Sequence, residues 1–297
     1  MNYSSLIIGH ITLDRNIDHL DNEVKIPGGA VVYSSASAYA LGHNVGVLTK
    51  IAKKDDELLG AFTLPKENII VLDSKDTTYM YNKYFTPDKE RRDCKCFSRG
   101  DEITADDIPQ SISAEIYHFA GLIYGDFSGD TVKEMSRRGK VAVDVQGFLR
   151  HRNDEDCTLF FEDWADKKDI LPYIDFLKTD AAEAEILTGL ADRKEAAKLL
   201  FEWGAKEIMI THNTEVLIFD GKDFYTCPIK SRNLSGRTGR GDTTFAAYIN
   251  ERLCNDIPSS LLTATATVSL KMETPGALNA TRADIEKYIE DFFKEQV

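Results

Sequence analysis

Asp242 stands where a carboxylate could take a proton. It closes the stretch Gly239-Arg240-Gly241-Asp242, which follows Gly236-Arg237-Thr238 and precedes Thr243-Thr244-Phe245-Ala246-Ala247-Tyr248-Ile249. The last run has few breakers and apolar residues at helical spacing, so the turn is predicted to open a helix. A helix N-terminus presents unpaired N–H groups and partial positive charge. Glycines let that backbone approach an anion closely, and Arg240 adds charge, so the turn suits a phosphate. A first-turn acid also complements the helix dipole without any chemistry. The chemical alternative is that Asp242 takes a proton from a hydroxyl while the anion hole holds a phosphoryl group in transfer. The turn is neither a Walker A loop, since no Lys-Ser/Thr pair follows its last glycine, nor a dinucleotide G-x-G-x-x-G fingerprint.

Other stretches carry polar groups at element ends. Gly9-His10-Ile11-Thr12-Leu13-Asp14 follows a short apolar run, and a carboxylate such as Asp14 can accept hydrogen bonds from two adjacent hydroxyls. Gly28-Gly29 precedes Tyr33, whose ring could stack on an apolar face or offer its hydroxyl. Val143-Asp144-Val145-Gln146-Gly147-Phe148-Leu149-Arg150 ends a strand with acceptors and donors, although Asp144 and Arg150 could simply be structural partners. Asp180 and Glu183 open another helix, where acids are favourable by about 0.3–1 kcal/mol each. Ile208-Met209-Ile210-Thr211-His212-Asn213 is a further strand end, and Lys271-Met272-Glu273-Thr274-Pro275-Gly276-Ala277 a late turn.

Together these motifs resemble the ribokinase (PfkB) family of carbohydrate kinases over nearly the whole chain. Gly239-Arg240-Gly241-Asp242 is similar to the family's G-A-G-D signature, which implies Gly239, Arg240 and Gly241 in the anion hole and Asp242 as catalytic base. The resemblance implies substrate contacts at Asp14, Gly28, Gly29, Tyr33, Gln146 and Arg150. It implies nucleotide contacts at Asp180, Thr211, Asn213, Gly239, Gly241 and Gly276. Magnesium and its waters fall to Asp180 and Glu183, the counterpart of N-x-x-E, which suits a cation that keeps much of its hydration shell. The segment around Gly276 resembles the family's adenine pocket and monovalent-cation loop, so ATP, Mg2+ and optionally K+ are the implied cofactors. The chain departs from the pattern at Gly236-Arg237 (usually Asp-Thr), Arg240 (a small residue), Tyr33 (Asn), Asp180 (Asn) and Asn213 (Gly). The stretch D-x-Q-G-x-x-R, Tyr117-His118-Phe119-Ala120-Gly121 and Ile103 to Pro109 look closest to the inositol-kinase-like branch.

Positioning these residues requires alternating strands and helices. Strands are expected at Tyr3–Ile8, Val45–Ile51, Ile116–Ala120, Val141–Val145, Ile174–Lys178 and Glu207–Thr211. Helices are expected at Ser34–Leu41, Thr131–Arg138, Ala181–Leu187, Lys194–Trp203, Thr244–Leu253, Ser259–Met272 and Ala283–Phe293. The alternation argues for an α/β fold with a mostly parallel sheet covered on both faces, whose ligands gather at the carboxyl ends of the strands. Between Thr77 and Phe97 the period changes to two, which predicts a β-hairpin turning at Thr86-Pro87-Asp88. Lys83, Lys89, Arg91, Arg92, Lys95 and Arg99 make it locally basic. The resemblance implies a ribokinase-like three-layer α/β/α domain over residues 1–297. Its small β-lid would come from about 14–27 and 75–100 and would close over substrate or pair with a second subunit.

The 297 residues, 42% hydrophobic and 29% charged, suffice for a large core. A net charge of −13 argues against a nucleic-acid partner held by a general basic surface. The opening Met-Asn-Tyr-Ser-Ser-Leu-Ile-Ile-Gly lacks a basic leader before a long apolar run, so no signal peptide is expected, and no apolar run spans a bilayer. Five scattered cysteines, Cys94, Cys96, Cys157, Cys227 and Cys254, suit a reducing cytoplasm, and Cys94-x-Cys96 reads as strand alternation rather than a metal site. The expectation is a cytoplasmic, ATP-dependent kinase for a sugar or cyclitol, with a myo-inositol-like polyol favoured and a homodimer through the lid an option. A nucleoside kinase and an inactive ligand-binding or regulatory protein of the same fold are the alternatives.

Overall fold

The computed structural model describes residues 1–86 and 92–294. The chain opens with β1 (Asn2–Ile8), β2 (Thr12–Ile17), β3 (Glu23–Gly28), α1 (Ala30–Ala40), β4 (Val45–Ile51), β5 (Ile69–Asp73), β6 (Thr78–Tyr84) and β7 (Arg92–Ser98). Next come β8 (Ser113–Phe119), α2 (Gly129–Met135), β9 (Lys140–Asp144), α3 (Gln146–Leu149), β10 (Arg150–Arg152), β11 (Leu159–Phe161) and α4 (Lys167–Ile170). Then follow β12 (Phe176–Asp180), α5 (Ala181–Thr188), α6 (Arg193–Glu202), β13 (Glu207–Thr211), β14 (Glu215–Phe219) and β15 (Phe224–Pro228). The helices α7 (Arg240–Glu251), α8 (Ile257–Lys271) and α9 (Arg282–Phe292) complete it.

Nine strands form one sheet in the order β15-β14-β13-β12-β9-β8-β1-β4-β5. Its ladders from β5 to β13 are parallel, and β14 and β15 extend it antiparallel. Strand alternation delivers apolar side chains to both faces, as a covered parallel sheet requires. Val141, Val143, Ile208, Ile210, Leu217 and Phe219 join the core beneath α5 and α6. Their neighbours Ala142, Met209, Val216 and Ile218 join the core beneath α7 and α8. The result is the three-layer α/β/α arrangement that the alternating pattern predicts.

A second, four-stranded sheet runs β3-β2-β6-β7, with β2 and β6 parallel and both outer pairs antiparallel. The expected hairpin is the β6–β7 pair, and β2 and β3 cover the segment of about 14–27 that the family resemblance, not a sequence period, assigns to the same β-element. β2 (Thr-Leu-Asp-Arg-Asn-Ile) has no regular apolar alternation and β3 only Val24 and Ile26, so neither gives a period-two run long enough to read. The expected turn from Pro87 on, with Lys89 and Arg91, lies outside the described residues. Cys96 is buried on β7 and Cys94 half-buried, in keeping with strand residues.

Two helices, α1 and α7, start four residues earlier than their sequence pattern. α1 begins after Gly29 rather than at Ser34, because Gly29 adopts φ 101° and turns the chain straight from β3 into the helix. α7 begins after Gly239 rather than at Thr244, so the glycine turn is the first turn of the helix.

Candidate active site

The carboxyl ends of β9, β12 and β13 and residues of β2, β6 and β7 line one cavity of about 340 Å³. Asp144 is the last residue of β9 and pairs with Lys178 of β12, while Asp180, the last residue of β12, pairs with Thr211 of β13. The first turn of α7 forms the floor. Gly239 has φ 78°, a conformation that strains any residue with a Cβ, and a Cβ there would meet the Tyr33 ring at 2.2 Å. Gly241 and Asp242 line the cavity at this turn, where a helix leaves its N–H groups without intrahelical acceptors. Helix α1 holds the turn from behind: Ser34 Oγ donates to the Asp242 carbonyl at 3.3 Å and Ser37 Oγ to the Thr243 carbonyl at 2.8 Å.

Asp242 sits at the centre of a charged cluster. Loss of solvent raises its carboxyl first and Asp144 pushes it further, while Lys178, Arg150 and Lys271 pull it back, leaving it raised to about 6. Lys178 Nζ donates to Asp144 Oδ2 at 2.9 Å and lies 3.9 Å from Glu183 Oε2. Burial alone would lower the Lys178 ammonium, but the Asp144 and Glu183 carboxylates outweigh it and hold the amine charged. Its Nζ would stand 3.2 Å from a Cβ on Gly241, which places a fixed positive charge beside the first turn of α7.

Asp180 and Glu183 form a capping box at the start of α5. Asp180 Oδ1 accepts the Glu183 N–H at 2.8 Å, and Glu183 Oε2 accepts the Asp180 N–H at 2.8 Å. Burial raises the Glu183 carboxyl to about 7, against Lys178 and with Asp144 and Asp180 adding to the rise. Asp180 lines the cavity and Glu183 lies behind it. Among the described residues no group of three or more His, Cys, Asp or Glu converges as a metal cage. The pair therefore fits a cation held mainly by water and phosphate oxygens.

The opposite wall comes from the second sheet and the loops below it. Asp14 accepts a hydrogen bond from Thr12 Oγ1 at 2.5 Å, and Asn82 Nδ2 donates to Asn16 Oδ1 at 3.0 Å. Burial raises the Asp14 carboxyl, opposed by the Thr12 bond and by Arg150 and Arg92. Arg150 is buried, with Nε donating to the Leu122 carbonyl at 2.7 Å.

Of the residues expected from sequence, Asp14, Gly29, Tyr33, Gln146, Arg150, Asp180, Thr211, Gly239, Arg240, Gly241 and Asp242 all line this one cavity. Gly28, Asn213, Glu183 and Gly276 stand outside its lining. Gly28 gives Asp14 its space, since a Cβ would lie 2.3 Å from the carboxylate. Asn213 accepts a hydrogen bond from Arg240 Nη2 at 2.6 Å. Sequence reasoning missed Lys178, Asn82 and Arg92 as lining residues and left Asp144 an open choice. The signal for Lys178 was a lysine inside the apolar strand Phe176-Leu177-Lys178, where an unpaired charge would be too costly to bury.

Residues 9–284 match the family model described as pfkB family carbohydrate kinase. The chain belongs to that family. It is 34% identical to a pyrophosphate-dependent kinase of the ribokinase family solved with sulfate, with a TM-score of 0.85, covering 95% of this chain and 99% of that one. A pyrophosphate-dependent kinase of the family complexed with a pyrophosphate analog and myo-inositol is 33% identical, with a TM-score of 0.84 and the same coverage, 95% and 99%. The cytidine kinase of Thermococcus kodakarensis is 27% identical over 255 residues, 82% of this chain and 86% of its own length. The chain is thus a ribokinase-fold phosphotransferase of the carbohydrate-kinase family. Among the described residues no helix is long and apolar enough to cross a membrane.

Proposed function

We propose that this carbohydrate kinase phosphorylates a hydroxyl of a cyclitol, with Asp242 as general base. The observation that carries the reading is the carboxyl of Asp242, raised to about 6, at the anion-hole turn and opposite the polar wall of Asp14, Asn82 and Arg150. Asp14 and Arg150 orient the acceptor; Gln146 and Tyr33 border it. Asp242 takes the hydroxyl proton as the oxygen attacks the terminal phosphorus of the donor. The new O–P bond forms as the bond to the leaving phosphate breaks, and the electron pair departs on that phosphate. The Gly241 and Asp242 N–H groups, Arg240 and Lys178 stabilise the charge that spreads over the transferring oxygens. Asp180 and Glu183 would hold magnesium and its waters, which supply charge neutralisation on the donor.

For the donor, pyrophosphate is the reading the site favours. Solved relatives above 30% identity include pyrophosphate-dependent kinases of the family. Asn213 and Gly276, expected at the nucleoside, stand outside the cavity, and Arg240 reaches across to Asn213. ATP is the second reading, supported by the resemblance of Thr211 to the family's nucleotide strand end. The second sheet serves as the lid that excludes water. Its exposed Leu20, Val24, Phe85 and Phe97 suit a homodimer contact.

The test is product formation followed by phosphorus NMR, with magnesium pyrophosphate or magnesium ATP offered against cyclitols, pentoses, hexoses, sugar phosphates and nucleosides. Turnover of a cyclitol that disappears in Asp242→Asn is the expected result. Turnover confined to nucleosides replaces the acceptor. Binding of donor and polyol with no product from any pair replaces the enzyme with a binding protein.

A further inference from the structure

The chain between β15 and α7 is fastened along the C-terminal end of α8. Lys230 N–H donates to Ser269 Oγ at 2.9 Å, Arg232 N–H to Glu273 Oε1 at 2.9 Å, and Gly236 N–H to the Met272 carbonyl at 2.8 Å. Gly236 is pressed onto the helix end so closely that a Cβ would lie 1.8 Å from the Thr274 carbonyl oxygen. No side chain fits there, so the aspartate that the family pattern calls for has no room.

Lys271, the last residue of α8, turns into this contact and is 1% exposed. Its Nζ donates to the carbonyls of Gly236 and Thr238. Its third neighbour is the face of Tyr33, with the ring centroid 5.1 Å away. Tyr33 in turn packs on Gly239, the residue that caps α7. One ammonium therefore gathers the two carbonyls just before the anion hole and the ring just beside it. Burial lowers Lys271 to about 8 while Asp242 pulls it up, so the charged form prevails at neutral pH.

Backbone carbonyls converging on one positive charge are also the ligand set of a bound monovalent cation. The resemblance to the family implies such a cation next to this loop. The residues here do not fit a free ion at the Gly236 and Thr238 carbonyls, because a covalently tethered ammonium already takes them. We infer that Lys271 is a built-in cation: it holds the Gly236 and Thr238 carbonyls where a free potassium ion would otherwise be needed, and so shapes the anion-hole turn without one. Lys271 is a positioning residue, since it acts on the donor site through the Gly236–Gly239 backbone. The activity arm of its test rests on the phosphotransferase reading above; the binding and stability arms do not.

The experiment compares the native protein with Lys271→Ala and Lys271→Met in tetramethylammonium, sodium, potassium and ammonium chloride at equal ionic strength. The native protein is expected to have the same melting temperature and, on its acceptor, the same kcat in all four salts. Lys271→Ala leaves the carbonyls open. Its kcat should fall on the order of 10²-fold in tetramethylammonium with KM for the acceptor little changed, as for a misplaced catalytic turn. Potassium or ammonium should restore both kcat and melting temperature, and thallium(I) titrated calorimetrically should bind one site in Lys271→Ala and none in the native protein. Lys271→Met fills the space with an uncharged stem and should not be rescued. A native protein that needs potassium for activity or stability would overturn the inference, as would thallium binding at the native loop. A folded Lys271→Ala that no cation rescues would also overturn it. If Lys271→Ala does not fold, the salt series on the native protein decides. If no acceptor is turned over, the melting and thallium arms still decide.

Discussion

The two walls of the cavity are built by different means. The main-sheet wall is a set of charges that satisfy one another: Lys178 with Asp144 at 2.9 Å, Glu183 at 3.9 Å, and the capping box of Asp180 and Glu183. The Lys178 and Asp144 side chains are only 7% and 3% exposed, and the strands beneath them are covered on both faces. The second-sheet wall has one covered face, and its polar groups bond to near neighbours, Asp14 to Thr12 and Asn82 to Asn16. On the proposed function, the contrast divides the labour. Transfer of a charged group needs fixed dipoles and charges that do not reorganise, which the covered sheet provides. Recognition of the acceptor can be left to a thinner sheet that shares less of the core.

The sharpest break in this comparison is Asp242→Asn. It keeps the shape of the turn and removes the base, so kcat should fall by about 10²–10⁴-fold with the fold intact by circular dichroism. Next is Lys178→Met, which leaves Asp144 and Glu183 facing a buried site without their cation. Denaturant unfolding should show a loss of about 3–5 kcal/mol, and adding Asp144→Asn should recover part of it, as breaking one side of a buried pair costs more than removing both. The third is the pH profile. Asp242 works as a base only when ionised and is raised to about 6, so log kcat/KM should climb with unit slope below pH 6 and level off above it. In the Lys178→Met background this limb should move to higher pH, because Lys178 is one of the charges that pulls Asp242 down. The smallest effect belongs to the thinner wall. Asp14→Asn should weaken acceptor binding by about 1.5–3 kcal/mol, seen in KM, with unfolding free energy nearly unchanged. An equal loss of stability from Asp14→Asn and Lys178→Met would remove the distinction between the walls.

The sequence by itself determined most of the main sheet and singled out the carboxylate proposed as base. β4 and β13 have the bounds expected from sequence and β1 starts one residue early, because a buried parallel strand carries apolar residues on both faces. Asp242 was legible because glycines, an acid and a helical run occupy consecutive positions, and that motif is local. Tertiary structure alone decided what depends on partners distant in the chain. The polar β2 and β3 form strands because β6 pairs with β2, in a register that sets Asp14 opposite Met80. Lys178 reads as an anomaly in its strand until Asp144, 34 residues earlier, supplies its counter-charge. Lys271 reads as the favourable last-turn lysine of a helix until the carbonyls of Gly236 and Thr238 are brought to it. Spacing along the chain specifies local backbone and which faces are apolar. Which charges meet is set by how those faces pack, and a buried charge is tolerated only where packing delivers its partner.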